Sequence, residues 1–405
     1  MSMTRKSFLK NVVGAAMVEG FLNRGSASLL HAQEKARIPA RAAKIRDVEI
    51  FPYSLQQKVV IKIALATALT TDNVFVRLRT EDGVTGVGEA SPYSAVTSET
   101  QQTDVAMGRT LAELVHGRDP FTLTKIVDDM DALSPNNPSI KAAFEMALWD
   151  ICGKIAGQPI CCLLGRYRDS FETDKTIFID TPAVMAEAAL GVVREGFRTI
   201  KVKVGESPQK DIERLRAVRE AVGNDIALRI DANQGWSPAE AVRCLRGIEK
   251  YQIQACEQPV PYWDLEGLKY VREHAPMPIM ADESVHSPHD AIEVIRREAV
   301  DMINIKLMKT GGILNAVRVA QIADAADLKC MLGSMTESSL ALTAAAHVVA
   351  SQKNIVYADL DSFLSNASNP IIGGMEIQQG VVHLPLAPGL GLDIDPAFLN
   401  KLRAV

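Results

Sequence analysis

The sequence predicts an α/β protein in which a modified (β/α)7β TIM-like barrel carries an N-terminal α+β capping domain. Three observations lead to this fold class. After residue 168, short apolar strands alternate with amphipathic helices. Before it, strand patterns come first and helical patterns follow, as in an α+β module. Several strands of the alternating region end in a charged residue, which is where barrel enzymes place their active sites.

Residues 1–40 are predicted to form an export leader and are left out of the fold. The basic segment Thr4–Lys10 precedes a modestly apolar stretch, Val12–Leu22. This order resembles a twin-arginine signal in which Lys6 replaces the second arginine, although Glu19 interrupts the apolar stretch. We therefore expect export to the periplasm. The alternative is a basic leader on a cytoplasmic enzyme.

Residues 41–168 are predicted to form the capping domain. Apolar and polar residues alternate from Ile45 to about Arg79, and Glu81-Asp82-Gly83 predicts a hairpin turn into a further strand. From Thr100 to Gly165 the periodicity is helical, and Ala142–Ile155 is the best candidate for a buried helix.

Residues 169–365 are predicted to form the barrel, and residues 366–405 to return to the capping domain. The candidate strands are Thr176–Ile179, Thr199–Lys203, Ala227–Asp231, Gln254–Glu257, Ile279–Asp282, Met302–Lys306, Lys329–Leu332 and Val356–Asp361. Helical stretches such as Pro208–Val222 lie between them. A doubly wound open sheet is the alternative, but no Gly-x-Gly-x-x-Gly motif follows the first strand.

Composition excludes several classes of function. The chain has 405 residues, a net charge of −5 and a pI near 5.9. This charge argues against nucleic acid as the main partner. No apolar run reaches the roughly 20 residues of a membrane-spanning helix. Neither a nucleic-acid partner nor a membrane span is therefore expected.

The informative pattern lies at the strand ends. Lys203 ends the second strand, Asp231 the third, Glu257 the fourth, Asp282 the fifth and Lys306 the sixth. From 231 to 306 the steps are 26, 25 and 24 residues, each about one βα unit. We therefore expect these side chains at the same height around the barrel.

Three carboxylates on neighbouring strands would repel one another unless a cation lay between them. Oxygen ligands without nearby histidine or cysteine suit Mg²⁺. Asp231, Glu257 and Asp282 are therefore predicted to bind Mg²⁺. The alternative is that each acid only caps the following helix.

Two further pairs of charged residues follow the period of a strand. Lys201 and Lys203 are two residues apart and point to the same side, and Lys306 lies across the barrel from them. Asp359 and Asp361 repeat this spacing on the last strand. Buried charges of this kind are costly without partners, which indicates a functional site.

These residues belong to motifs that resemble those of the enolase superfamily, and in particular its muconate lactonizing enzyme group. The likeness runs from about Ile45 to Pro396. Asp359-Leu360-Asp361 is similar to the Asp-x-Asp signature of dipeptide epimerases of the L-Ala-D/L-Glu epimerase type. The other motifs are Ala147-Leu148-Trp149-Asp150, Lys201-Val202-Lys203, Asp231-Ala232-Asn233, Glu257-Gln258-Pro259, Asp282-Glu283-Ser284 and Asn304-Ile305-Lys306.

The resemblance implies a Mg²⁺-dependent epimerase that inverts the α-carbon of the C-terminal residue of a dipeptide. One lysine removes the α-proton, Mg²⁺ stabilises the enediolate, and the other lysine returns a proton to the opposite face. A base lysine must be neutral, so we expect neighbouring cations to lower its pKa. The implied catalytic residues are Lys203 and Lys306, and the implied substrate-binding residues are Thr176, Lys201, Met335, Asp359 and Asp361.

Other activities stay open at this stage. Cycloisomerases, o-succinylbenzoate synthases and N-acylamino acid racemases use the same lysine pair, but their substrates bring no ammonium group to two acids. A sugar-acid dehydratase would need a His-Asp pair, and a Schiff-base aldolase would not need three metal carboxylates. A non-catalytic binding protein would not need the lysine pair.

The dipeptide itself and the oligomeric state are not fixed by the sequence. The loops near Gln56–Thr71 and Ser91–Thr97 are expected to set specificity. Ala66 stands where members acting on Ala-Glu carry an arginine, although Lys58 or Lys62 are candidate substitutes. A capped barrel often assembles further, so a homo-oligomer is also expected.

Overall fold

The computed structural model describes residues 43–405, and the predicted leader therefore lies outside the described residues. Within the described part, no helix is both long and apolar enough to cross a membrane. Three apolar clusters are present among the described residues. The first packs the barrel strands against their helices, the second lies inside the capping domain, and a small third cluster lies inside the barrel.

The capping domain begins with an antiparallel sheet of β1 (Ile45–Lys62), β2 (Thr67–Thr80) and β3 (Thr85–Ala90). The predicted loop near residues 56–71 is therefore mostly strand, closed by a short turn in which Ile63 N–H donates to Ala66 O over 3.0 Å. The helices that follow are α1 (Ser94–Thr97), α2 (Gln101–Val115), α3 (Leu123–Leu133), α4 (Pro138–Ala156) and α5 (Ile160–Leu163).

The central helix of the capping domain, α4, is buried along most of its length. Strand β3 approaches it so closely that a Cβ on Gly88 would lie 1.9 Å from the carbonyl oxygen of Ala143. Only glycine permits this contact.

The barrel contains eight parallel strands whose order in the sheet follows the chain. The first and last are joined where Asp174 N–H donates to Ala358 O over 3.1 Å. Most predicted strands agree to within two residues. The strands are β5 (Lys175–Ile177), β6 (Thr199–Lys203), β7 (Ala227–Asp231), β8 (Ile253–Glu257), β9 (Ile279–Ala281), β10 (Met302–Ile305), β11 (Lys329–Leu332) and β12 (Ile355–Ala358).

The last strand departs most from the prediction. It ends at Ala358, so Asp359 and Asp361 lie directly after the strand rather than within it. The barrel helices are α6 (Pro182–Arg194), α7 (Pro208–Val222), α8 (Pro238–Gly247), α9 (Leu265–His274), α10 (Pro288–Arg296), α11 (Leu307–Thr310), α12 (Ile313–Ala325) and α13 (Ser339–Ser351).

Two acids of the capping domain cap barrel helices. Glu145 of α4 accepts hydrogen bonds from Ile313 N (2.7 Å) and Leu314 N (2.8 Å) at the start of α12. Glu89 of β3 accepts from Ser338 N over 2.8 Å at the start of α13. These carboxylates satisfy N–H groups that a helix leaves unpaired at its N-terminus. The capping domain is therefore fixed on the barrel by directed contacts.

The C-terminal segment contacts both domains. Its strand β15 (Val381–His383) pairs with β4 (Ser170–Glu172), and Leu390 N–H donates to Asp150 Oδ1 of α4 over 2.8 Å. Val405 N–H donates to Ile50 O of β1 over 3.0 Å. The elements of the C-terminal segment are β13 (Ile371–Gly373), β14 (Glu376–Gln378), β15 (Val381–His383), β16 (Leu392–Ile394) and α14 (Pro396–Leu399). Strand β4 (Ser170–Glu172), with which β15 pairs, lies before the barrel strands.

Candidate active site

Three carboxylates converge at the C-terminal ends of adjacent barrel strands. Asp231 ends β7, Glu257 ends β8, and Asp282 follows β9. Each offers an oxygen atom, and these atoms lie within 4.8 Å of one another. Burial, followed by repulsion from Asp231, raises the pKa of Glu257 to about 8. A buried, oxygen-only donor set with this much negative charge fits Mg²⁺.

Apolar side chains lie two residues before Glu257, Asp282 and Asn304 and support the site. Ala255, Met280 and Met302 point into the barrel and form one cluster with Met331. The period of a strand then places Glu257, Asp282 and other polar residues one layer further along. This apolar cluster therefore fills the barrel directly beneath the layer of polar site residues.

Lysines on β6 bind the first two carboxylates. Lys203 Nζ donates to Asp231 Oδ2 over 2.6 Å. Lys201 Nζ lies 2.8 Å from Glu257 Oε2, 3.2 Å from Asp231 Oδ2 and 2.7 Å from Asp359 Oδ2. Because its single ammonium group joins three acids, Lys201 holds the metal site and the last barrel strand together.

On the other side of the barrel, two lysines bind Asp282. Lys306 Nζ donates to its Oδ2 over 2.7 Å, and Lys309 Nζ lies 2.6 Å from its Oδ1. Burial lowers the pKa of Lys306, but Asp282 and Glu257 outweigh burial and raise it. The neighbouring Lys201 acts in the opposite direction and lowers this pKa, as expected of a nearby cation.

The backbone is strained within three residues after two of the carboxylates. Asn233, Gln234 and Gln258 have φ values of 38°, 68° and 34°. Non-glycine residues seldom adopt positive φ, and such strain is concentrated at functional sites. At Asn233 it places the side chain where its Oδ1 accepts from Lys203 Nζ over 3.3 Å.

A cavity of about 340 Å³ opens between the capping domain and the barrel. Ile63, Thr70 and Tyr93 contribute from the capping domain, and Phe178 contributes from the barrel. All but one of the residues predicted to contact substrate or move the proton line this cavity. They are Thr176, Lys203, Lys306, Met335, Asp359 and Asp361.

The exception is Lys201, predicted to bind substrate, which is not among the lining residues. Its side chain is 1% exposed and its ammonium group is bound to three carboxylates. It can organise the acids around the cavity without contacting substrate. Its predicted contribution to substrate binding stays a prediction.

The two acids after the last strand both have partners within the protein. Asp359 is bound to Lys201, and Asp361 Oδ2 accepts from Thr176 N over 2.9 Å. Burial, followed by repulsion from Asp359, raises the pKa of Asp361 to about 7. Both carboxylates line the cavity, where they can accept a cationic group of a ligand.

Sequence reasoning assigned no role to several residues that shape this site. Lys309, which binds Asp282, is one of them. Asn304 donates to Glu257 Oε1 over 2.7 Å. Its signal was its position two residues before Lys306. Asp174 lies two residues before Thr176 in the same way, but it precedes the strand and was not considered.

A barrel with an oxygen-only metal site, two lysines on its cavity and an α+β cap defines an enzyme class that moves protons next to carboxylates. Residues 45–165 match the family model for the N-terminal domain of mandelate racemase and muconate lactonizing enzyme. Residues 184–398 match the enolase C-terminal domain-like model. The chain belongs to the enolase superfamily, within its mandelate racemase and muconate lactonizing enzyme family.

Several relatives match this chain over nearly the whole length of their own sequences. A hydrophobic dipeptide epimerase from Enterococcus faecalis is 42% identical over 86% of this chain and 99% of its own. Its structure with Mg and L-Leu-L-Tyr has a TM-score of 0.85. A dipeptide epimerase from Cytophaga hutchinsonii, solved with Mg and D-Ala-L-Val, is 38% identical with a TM-score of 0.88, covering 89% and 99% of the two chains. An N-succinyl Arg/Lys racemase from Bacillus cereus is 34% identical with a TM-score of 0.86, covering 89% and 98%.

Proposed function

We propose that the protein is a Mg²⁺-dependent dipeptide epimerase that inverts the α-carbon of the C-terminal residue. The observation that carries the proposal is that Lys203 and Lys306, from opposite sides of the barrel, line one cavity together with Asp359 and Asp361. Two lysines can remove and return a proton on opposite faces, and two acids can hold an ammonium group. The relatives from E. faecalis and C. hutchinsonii, which are dipeptide epimerases, support this proposal.

The residues divide the reaction between them. Asp231, Glu257 and Asp282 would hold the ion, which would stabilise negative charge on the substrate carboxylate when bound. Lys203 and Lys306 exchange the α-proton from the two faces, and Asn304 and Lys201 keep Glu257 in place through contacts of 2.7 Å and 2.8 Å. Asp359 and Asp361 accept hydrogen bonds from the ammonium group one residue before the reacting centre.

The experiment is incubation of dipeptide libraries with enzyme and Mg²⁺ in D₂O. Mass spectrometry detects deuterium at the α-carbon, and chiral analysis detects inversion. We expect one deuterium per inverted molecule, at the C-terminal residue only. Inversion without deuterium, or no exchange with any dipeptide, would contradict the proposal.

N-acylamino acid racemase is the second candidate, and one observation favours it. Asp359 and Asp361 both have partners within the protein, so neither requires a ligand cation. Comparison of a substrate dipeptide with its N-acetylated form separates the two functions. A dipeptide epimerase should lose about 2 kcal/mol or more of transition-state stabilisation on acetylation, the scale for leaving a buried charge unpaired. Equal turnover would favour the racemase.

We propose further that the second residue of the dipeptide is not acidic. Among the residues lining the cavity, the cationic side chains are Lys203 and Lys306. Lys62 instead forms an ion pair with Glu206 at 2.7 Å, and Lys58 donates to Leu364 O over 3.0 Å. Neither candidate substitute for the arginine therefore lines the cavity. Apolar side chains lining it include Ile61, Ile63, Ala68, Val96, Phe178 and Met335.

We also propose that residues 1–40 direct export to the periplasm, on the sequence of that segment alone. Fractionation of cells that express the full chain tests this directly. Activity in the periplasmic fraction is expected, and Arg5→Gln should retain the protein in the cytoplasm. A parental chain found only in the cytoplasm would contradict export.

A further inference from the structure

A third buried carboxylate, Asp174, lies beside the two acids of the proposed ammonium site. Oxygen atoms of Asp174, Asp359 and Asp361 lie within 4.8 Å of one another, and none of these residues is more than 4% exposed. Asp174 directly precedes β5, two residues before Thr176, whose backbone N–H is bound to Asp361. The three acids form one cluster inside the barrel.

This cluster carries more negative charge than its ion pairs neutralise. Arg229 Nη1 donates to Asp174 Oδ2 over 2.8 Å, and Lys201 Nζ donates to Asp359 Oδ2 over 2.7 Å. Lys201 is shared with two carboxylates of the metal site. The other oxygen of Asp174, Oδ1, is buried without a hydrogen-bond partner in the described structure. The surplus charge favours entry of a further cation.

Asp174 does not line the cavity, whereas Asp359 and Asp361 do. Its partner Arg229 is also held elsewhere, with its guanidinium carbon 3.7 Å from the centre of the Tyr357 ring and its Nε donating to Gln254. The charge of Asp174 can therefore act on a ligand through the field that it adds at Asp359 and Asp361 rather than by contact.

We infer that Asp174 is a positioning residue that strengthens the binding of a substrate ammonium group at Asp359 and Asp361. The inference rests on the proposed dipeptide substrate. A buried acid with an unpartnered oxygen is costly to the fold, and such costs are typical of functional sites. Burial and repulsion from Asp359 raise the pKa of Asp174, whereas its ion pair with Arg229 lowers it and favours the charged form.

The test is isothermal titration calorimetry of the full chain with Mg²⁺, using a dipeptide and its N-acetylated form. Asp174→Asn keeps the side-chain shape and removes the charge. We expect about tenfold weaker binding of the dipeptide, the scale of one partly screened charge interaction, and unchanged binding of the acetylated form. KM for the dipeptide should rise while kcat stays near the parental value.

Arg229→Met provides the matched control. It removes a cation from the cluster and should strengthen dipeptide binding, which also tests the inference if Asp174→Asn does not fold. If Asp174 only neutralises Arg229, combining Asp174→Asn with Arg229→Met should recover the stability lost in Asp174→Asn. The affinities for the dipeptide and for its acetylated form should then change alike. That result overturns the inference, as does unchanged dipeptide binding in folded Asp174→Asn, or weaker or unchanged binding in Arg229→Met.

Failure of the proposed function can be told apart from failure of this inference. If the parental protein binds the dipeptide but exchanges no α-proton in D₂O, the epimerase proposal fails and calorimetry still measures the contribution of Asp174. If the parental protein exchanges the proton and folded Asp174→Asn binds as tightly, only the inference fails. If the parental protein binds no dipeptide, both are wrong.

Discussion

Replacement of Lys306 by methionine should separate proton transfer on one face of the substrate from transfer on the other. Lys306 is 4% exposed, and methionine fills a similar volume without the charge. Asp282 keeps Lys309, whose Nζ lies 2.6 Å from its Oδ1. The metal site therefore retains a cationic partner, and the defect should fall on proton transfer.

The magnitude follows from the proton that Lys306 moves. A positioned acid or base contributes about 10²- to 10⁴-fold to a rate, or about 3–5 kcal/mol at about 1.4 kcal/mol per factor of ten. Inversion needs both lysines and should fall by this factor. Hydrogen exchange needs one lysine only, so it should persist for the isomer whose α-proton faces Lys203.

The mirror variant is Lys203→Met, in which Asp231 keeps Lys201 at 3.2 Å. It should retain exchange for the opposite isomer. Proton NMR in D₂O follows exchange and inversion in one sample, and calorimetry with Mg²⁺ checks that the metal site is intact. If either folded variant inverts the dipeptide at the parental rate, that lysine does not move the proton.

Three further predictions concern the metal, pH and substrate. Chelation with EDTA should abolish activity and added Mg²⁺ should restore it; full activity in protein shown by elemental analysis to be metal-free would contradict this. Burial and the neighbouring Glu99 raise the pKa of Asp104 to about 9, so its contribution to stability is complete below about pH 4 and is lost as pH rises towards 9. In denaturant titrations from pH 6 to 8, the free energy of unfolding should fall less steeply for Asp104→Asn, by about 1 kcal/mol per pH unit; equal slopes would refute this assignment. Finally, a dipeptide ending in leucine should have a kcat/KM at least about tenfold above one ending in glutamate, and the reverse order would contradict the proposal that the second residue is not acidic.

The barrel and the metal carboxylates could be predicted because both follow from regular spacing. A βα unit has a nearly constant length, so Asp231, Glu257 and Asp282 had to recur at one end of the barrel. The structure brings their oxygen atoms within 4.8 Å of one another. The resemblance to a known family rested on the same residues, and the family comparisons confirm it.

Two properties could not be predicted from the sequence. They are the depth of each lysine along the barrel axis and the balance of charges around it. The period of a strand places Lys201 and Lys203 on the same side but does not say which reaches the cavity. Lys201 lies one layer deeper, where three acids bind its ammonium group. The raised pKa of Lys306 likewise depends on distances to carboxylates that are remote in sequence. Such properties arise only when the strands are assembled.

The two domains contribute different parts of the cavity wall. Ile63 and Thr70, from the β1–β2 hairpin, line the cavity, whereas the lysines come from the barrel. The hairpin is positioned through the rest of its domain, where Glu89 and Glu145 cap barrel helices. Substitutions at the hairpin tip can therefore change the side chain that is accepted without moving a catalytic group. A substitution of Glu145 would instead weaken the contact between the capping domain and the barrel. It should therefore reduce activity on all substrates alike.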